Sequence, residues 1–146
     1  MTDATKPSGF DLSRLLTQED EPTFRVPVVY DAEGGELSGF IIVGKNSAEY
    51  QANARQVQID NIVRSTNRKA AIDTATEAGA EVLALTMGRN NRATAISVVK
   101  DWFGFSLNGA VAVVDPEMLA KMFDKYPTWQ AKVLAALEVD ANFLKV

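Results

Sequence analysis

Between Thr23 and Val43 the apolar side chains recur every second position. Phe24, Val26, Val28 and Tyr30 fall on one face of an extended segment, and Phe40 and Ile42 on one face of another. Between them Asp31-Ala32-Glu33-Gly34-Gly35-Glu36 supplies turn chemistry, since glycine adopts positive φ without steric cost. The pattern predicts a β-hairpin. Pro27 has no amide to give to a ladder, so its strand should lie at an edge or carry a bulge there. A two-stranded hairpin is marginal alone, so it should pack on helices or pair with another subunit.

After Gly44 the period lengthens. Asn46-Ser47-Ala48-Glu49 fits a capping box with Asn46 as cap, and predicts a helix to about Thr66. Its apolar residues make no single stripe: Tyr50, Ala54 and Val57 mark one side, while Ile59, Ile62 and Val63 drift around the cylinder. Such a helix is either covered on two sides, by its own domain and by something else, or crosses the middle of its own domain. A second helix is predicted from Lys69 to Met87, with Ile72, Ala75, Gly79, Val82, Leu83 and Thr86 as a core-facing stripe and Gly88 as its stop. Gly79 inside that stripe suggests a close backbone approach. Arg89 to Arg92 then reads as a loop, and a shorter helix carrying Ala95, Ile96 and Val99 leads to Trp102.

Trp102-Phe103-Gly104-Phe105 and the Asn108-Gly109 pair predict a small β-turn unit. Asp115-Pro116-Glu117 carries three concordant helix-start signals: a cap, Pro at the first helical position and an acid in the first turn. Leu119, Met122, Phe123 and Tyr126 should form the buried face of that helix. Pro127 ends it, and Thr128 should cap a last helix with Trp129, Val133, Ala136 and Leu137 on one side. The fold expected is α+β and mainly α-helical, an N-terminal β-hairpin followed by a bundle of about four to five helices. Residues 1–22 read as a weakly ordered arm and 23–146 as a single domain, with the hairpin at 23–44 and the helical body at 46–146. Within the arm, Phe10 to Leu16 forms a short turn capped by Asp11 or Ser13, whose Leu12, Leu15 and Leu16 can dock on the body or on a partner.

Composition narrows the chemistry. The 146 residues include no cysteine and no histidine, which removes disulfides, Cys/His metal sites, thiol nucleophiles and histidine acid/base catalysis. A net charge of −4 argues against nucleic acid as partner. Arg64, Arg68 and Lys69, and again Arg89 and Arg92, read as solvated helix-end cations. Glu19-Asp20-Glu21 reads as a solvated run, and Asp115 with Glu117 as helix-start chemistry. The glycines make no phosphate-binding fingerprint. We expect no catalytic residue, cofactor or metal site. No apolar run is long enough to span a membrane, and Met1-Thr2-Asp3-Ala4 lacks the order of a signal peptide, so a cytoplasmic product is expected.

Asp115-Pro116-Glu117, then Tyr126-Pro127-Thr128-Trp129, then Asp140-Ala141-Asn142-Phe143-Leu144 follow one another at a spacing that resembles the tail assembly chaperones of long-tailed bacteriophages. The likeness covers roughly Asn46 to Leu144, in the short, non-frameshifted form of the family product. It implies a homo-oligomer of the host cytoplasm, absent from the mature virion. Such a protein binds the apolar, helical tape measure protein, keeps it soluble and helps recruit the tail tube protein. The alternative is a permanent structural component of a phage tail or related machine, its hairpin adding a strand to a neighbour's sheet. Holding an apolar helix calls for exposed apolar surface, for which Trp102, Phe103, Phe105, Trp129, Phe143 and Leu144 are the candidates. Trp129 and Phe143 sit at spacings that also suit a core, whereas Trp102 to Phe105, in a turn, are better placed for a partner.

Overall fold

The computed structural model describes residues 11–17, 21–67, 72–73 and 75–144. Its first element is a short helix, α1 (Leu12–Leu16), capped by Asp11, whose carboxylate accepts from the Ser13 amide at 3.0 Å. Phe10, Glu19, Asp20, Arg68 and Lys69, named above, lie outside the described residues.

Strands β1 (Thr23–Tyr30) and β2 (Glu36–Val43) pair antiparallel as the alternation requires. Gly34 takes the left-handed conformation at φ +86°. Gly35 does not; its amide donates to the Asp31 carboxylate at 2.7 Å, so the aspartate and one glycine close the turn. Pro27 meets both expectations, because β1 is an edge strand and the register shifts between Pro27 and Val29. A second shift before Tyr30 carries that ring off the core face, and it is exposed, with its hydroxyl donating to the Pro27 carbonyl.

The hairpin gains a third strand from its own chain. β3 (Val99–Phe103) pairs antiparallel with β2, setting Phe40 opposite Trp102 and Ile42 opposite Val99. This corrects the helix expected to lead into Trp102. Ala95, Ile96 and Val99 fit a helical spacing, but Val99 turns out of the helix because its ladder partners wait in β2, and that long-range pairing overrides local propensity.

Helix α2 (Ala48–Thr66) starts one residue later than expected: Ser47 is the cap, its hydroxyl accepting from the Tyr50 amide at 3.1 Å. Helix α3 (Glu77–Val98) departs further from expectation. Thr76 caps it, accepting from the Gly79 amide at 2.9 Å, and it runs unbroken through Gly88 into the segment read as loop and short helix. Gly88 has open space where a Cβ would stand and keeps ordinary helical φ, so it acts as a helix interior residue. Gly79 does mark a close backbone approach, for a Cβ there would collide with the carbonyl of Asp73.

Beyond β3 a two-stranded ribbon, β4 (Ser106–Leu107) and β5 (Ala110–Val111), turns through Asn108 and Gly109, both at positive φ, the arrangement an Asn-Gly turn favours. Helix α4 (Pro116–Lys125) begins as its sequence dictates, with the Asp115 carboxylate accepting from the Glu117 amide at 3.1 Å. Helix α5 (Pro127–Leu137) starts at Pro127 rather than after Thr128; Tyr126 occupies the cap position without a side-chain bond and is exposed, not part of the buried face of α4. A single residue thus separates the two helices. The last turn, Asp140–Asn142, folds back on α5: the Asn142 amide side chain donates to the Ala136 carbonyl at 2.9 Å, and Phe143 closes over Gly44 and Phe24.

The core lies between one face of the sheet and helices α4, α5 and the end of α3. Phe40 and Ile42 from β2, Ala95 and Val98 from α3, Leu119 and Phe123 from α4, and Val133 and Leu137 from α5 are its closed centre. The fold is α+β and mainly α-helical, with the hairpin ahead of the helices.

Candidate partner-binding surface

The aromatic residues put forward from sequence do not form one surface. Trp102 is only 7% exposed, and its indole N–H donates to the Ala112 carbonyl at 2.7 Å. It belongs to the core, contrary to its expected place on a partner surface, because β3 pairing turns it inward opposite Phe40. Phe143 is buried too, edge-on to Phe24 at 6.1 Å. Phe105 and Trp129 are half-buried beside Phe40, with ring centroids 5.6 and 6.1 Å from it. Tyr126 stacks on Trp129 at 4.4 Å and 18° and carries that aromatic group to the surface. Phe103 sits apart, half-buried under the Arg25 guanidinium, which stands 3.7 Å over its ring. Leu144 is exposed beyond Phe143.

The larger apolar surface lies elsewhere. Helix α2 contains no buried residue, and the buried residues of α3 are Ala95 and Val98, at its end. The two helices therefore form an antiparallel arm rooted in the domain near the Asn53 to Thr94 hydrogen bond of 3.0 Å. Half-buried Ala54 and Val57 of α2 and Gly79, Leu83 and Thr86 of α3 follow three- and four-residue spacing and form the seam between them. A second set is left outside. Ile59, Ile62 and Val63 on α2, and Val82, Leu85 and Met87 on α3, are 45% to 64% exposed. Val82, assigned to the core stripe from sequence, is among them. The drift of Ile59, Ile62 and Val63 around α2 was the sequence signal for this surface. On α3 the signal was hidden, since apolar residues at nearly every position of 82–87 fit any face.

A smaller exposed set follows β4: Leu107, Val111 and Val113 point outward while Ala112 and Val114 pack on the core. Alternation in an extended segment explains that division.

Several ionisable groups serve the fold. Arg92 joins α3 to the C-terminal helices through Asp124 at 2.7 Å and Gln130. Lys45 meets Glu138 at 2.6 Å, a hydrogen bond that holds the Lys45 ammonium above its ordinary value. Ser13 holds the Asp11 carboxyl below its ordinary value, by its hydroxyl first and its amide second. Among the described residues no group of three His, Cys, Asp or Glu could hold a metal ion. No helix among them is long and apolar enough to cross a membrane.

No protein-family model matches the chain, and neither the curated proteins nor the solved structures contain a match to it.

Proposed function

We propose that this chain is a non-catalytic holding module, a tail assembly chaperone that keeps the apolar, helical tape measure protein soluble and helps bring the tail tube protein to it. The observation that carries the reading is the arm. Two helices present a second row of apolar side chains at helical spacing, on faces no part of the described chain covers. Isolated apolar residues are normal on any surface, but a series on one helical pair marks a place where another chain packs. An amphipathic helix laid along such a surface reads anchors at i, i+3 and i+4, the spacing of Ile59, Ile62 and Val63. The resemblance of residues 115–144 to that family supports the same reading. The arm also suits self-association, so a homo-oligomer of the host cytoplasm, missing from the finished virion, is part of the proposal.

Strand addition, on which the structural-component alternative depends, finds less support. The hairpin is completed by β3 of its own chain, and the free edge of β1 carries Pro27 and a bulge, both of which obstruct pairing. Co-expression with the tape measure protein is the test. Recovery of that protein in the soluble fraction, bound to this chain, is the expected result. An insoluble tape measure protein, with this chain abundant in purified virions by mass spectrometry, would put the structural reading first.

A further inference from the structure

The arm is not the only uncovered apolar row. Helix α1 places Leu12, Leu15 and Leu16 at i, i+3 and i+4, contains no buried residue, and leaves Leu12 64% and Leu16 81% exposed. A helix of five residues has too few internal hydrogen bonds to offset its nucleation cost in water, so it needs a surface to hold it. It is nonetheless encoded locally: the Asp11 carboxylate accepts from both the amide and the hydroxyl of Ser13, at 3.0 and 2.8 Å. A locally encoded, three-leucine helix with no buried residue stands on the same chain as an arm whose outer row is uncovered.

We propose that α1 folds back on α2 of its own chain and covers Ile59, Ile62 and Val63, so that the first segment of the protein occupies the arm until a partner displaces it. Chain geometry brings this face within reach. Glu21 is held to Lys100 at 3.3 Å, and Thr23 pairs with Val43 a few residues before α2 begins, so the tether of α1 and the root of α2 lie at the same end of the sheet. The four residues 17–20 span at most about 14 Å, and α1 adds about 7 Å of helix. Ile59 stands eleven residues beyond Ala48, roughly 17 Å along α2, and Ile62 about 21 Å. The leucines thus reach this row with α1 antiparallel to α2, Leu16 nearer Ile59 and Leu12 nearer Ile62 and Val63. The exposed residues of the ribbon, Leu107 and Val111, follow β3 at the other end of the sheet, where Phe103 pairs with Gly39. Both rows repeat at three- and four-residue spacing, so ridges of one fit grooves of the other.

The docking is a property of the chain alone; only its consequence, competition with a partner, rests on the function proposed above. The chain has no cysteine, so Thr17→Cys and Arg55→Cys, which flank the two rows without removing an apolar residue, can be joined by a short bismaleimide in dilute protein with no partner present. The expected product is a cross-linked single chain, lost to background when Leu12, Leu15 and Leu16 are all changed to Ser. Those substitutions touch no buried residue, and unchanged circular dichroism confirms an intact fold. Absence of the cross-link, a product joining two chains, or a cross-link that survives the serine substitutions would each overturn the proposal. None of these results depends on whether the tape measure protein is held, and failure of that holding would leave the cross-link unaffected.

Discussion

The indole N–H of Trp102 donates to the carbonyl oxygen of Ala112 at 2.7 Å, tying the end of β3 to the extended segment ten residues later. The Ala112 amide donates back to the Phe105 carbonyl, so residue 112 is anchored on both sides of its peptide while Val111 and Val113 face outward. Trp102→Phe keeps an aromatic ring opposite Phe40 but removes the donor and leaves the carbonyl in a part-buried site. A loss of about 1–3 kcal/mol is expected, read from the denaturant midpoint. Faster hydrogen exchange confined to residues 103–114 would distinguish loosening of the ribbon from a general loss of stability.

Gly88 lies in the interior of α3 with nothing within 4 Å of the position a Cβ would take. Gly88→Ala should therefore stabilise the protein by about 1 kcal/mol, through helix propensity alone. Had Gly88 ended the helix in a left-handed conformation, the same change would strain the backbone and destabilise. A thermal melt decides the sign.

The hairpin, the α4 start at Asp115-Pro116-Glu117 and the Asn108-Gly109 turn were legible because each is written in a few adjacent residues whose partners are local. What could not be read depended on distant pairing. Val99 to Phe103 became a strand only because β2 offered a free side, and Trp102 was buried by the same event. Gly88 was read as a stop because its sequence allows one, whereas residues on both sides continue the helix and the cost of one glycine is small. The candidate surface was half legible. The drift of Ile59, Ile62 and Val63 pointed to a second apolar face, and α2 with no buried residue does not cross the middle of the domain; Phe143 is core as its spacing suited, whereas Trp102, expected at a partner surface, is core too. Aromatic identity reports buried area more dependably than it reports a binding face.

The cap of α1 gives that helix a pH dependence whose sign follows from the Asp11 carboxyl. Hydrogen bonds from the Ser13 hydroxyl and amide favour the ionised form and lower its pKa. The stabilisation they give is complete above the ordinary aspartate range and is lost as pH falls through the lowered value. Helical shifts of residues 12–16, followed by NMR during acidification, should therefore collapse at that end. Asp11→Asn, which still accepts at the cap but does not titrate, should keep the helix and abolish the transition.

Because Ile59 and Ile62 are exposed on a helix with no buried residue, their replacement separates binding from folding. Lysine is a good helix former, and substitutions at exposed sites change stability by about 0.5 kcal/mol or less. Ile59→Lys with Ile62→Lys should therefore free α1 from this row yet leave the melting of the core nearly unchanged. Placing two ammonium groups in a row that packs against an apolar helix forces either their desolvation or loss of the contact, so the tape measure protein should fall out of the soluble fraction on co-expression. The paired control is Tyr126→Ser, which removes an exposed ring of the aromatic group around Trp129. Loss of holding in that variant, with the lysine variant still active, would move the binding surface from the arm to the α4 and α5 junction.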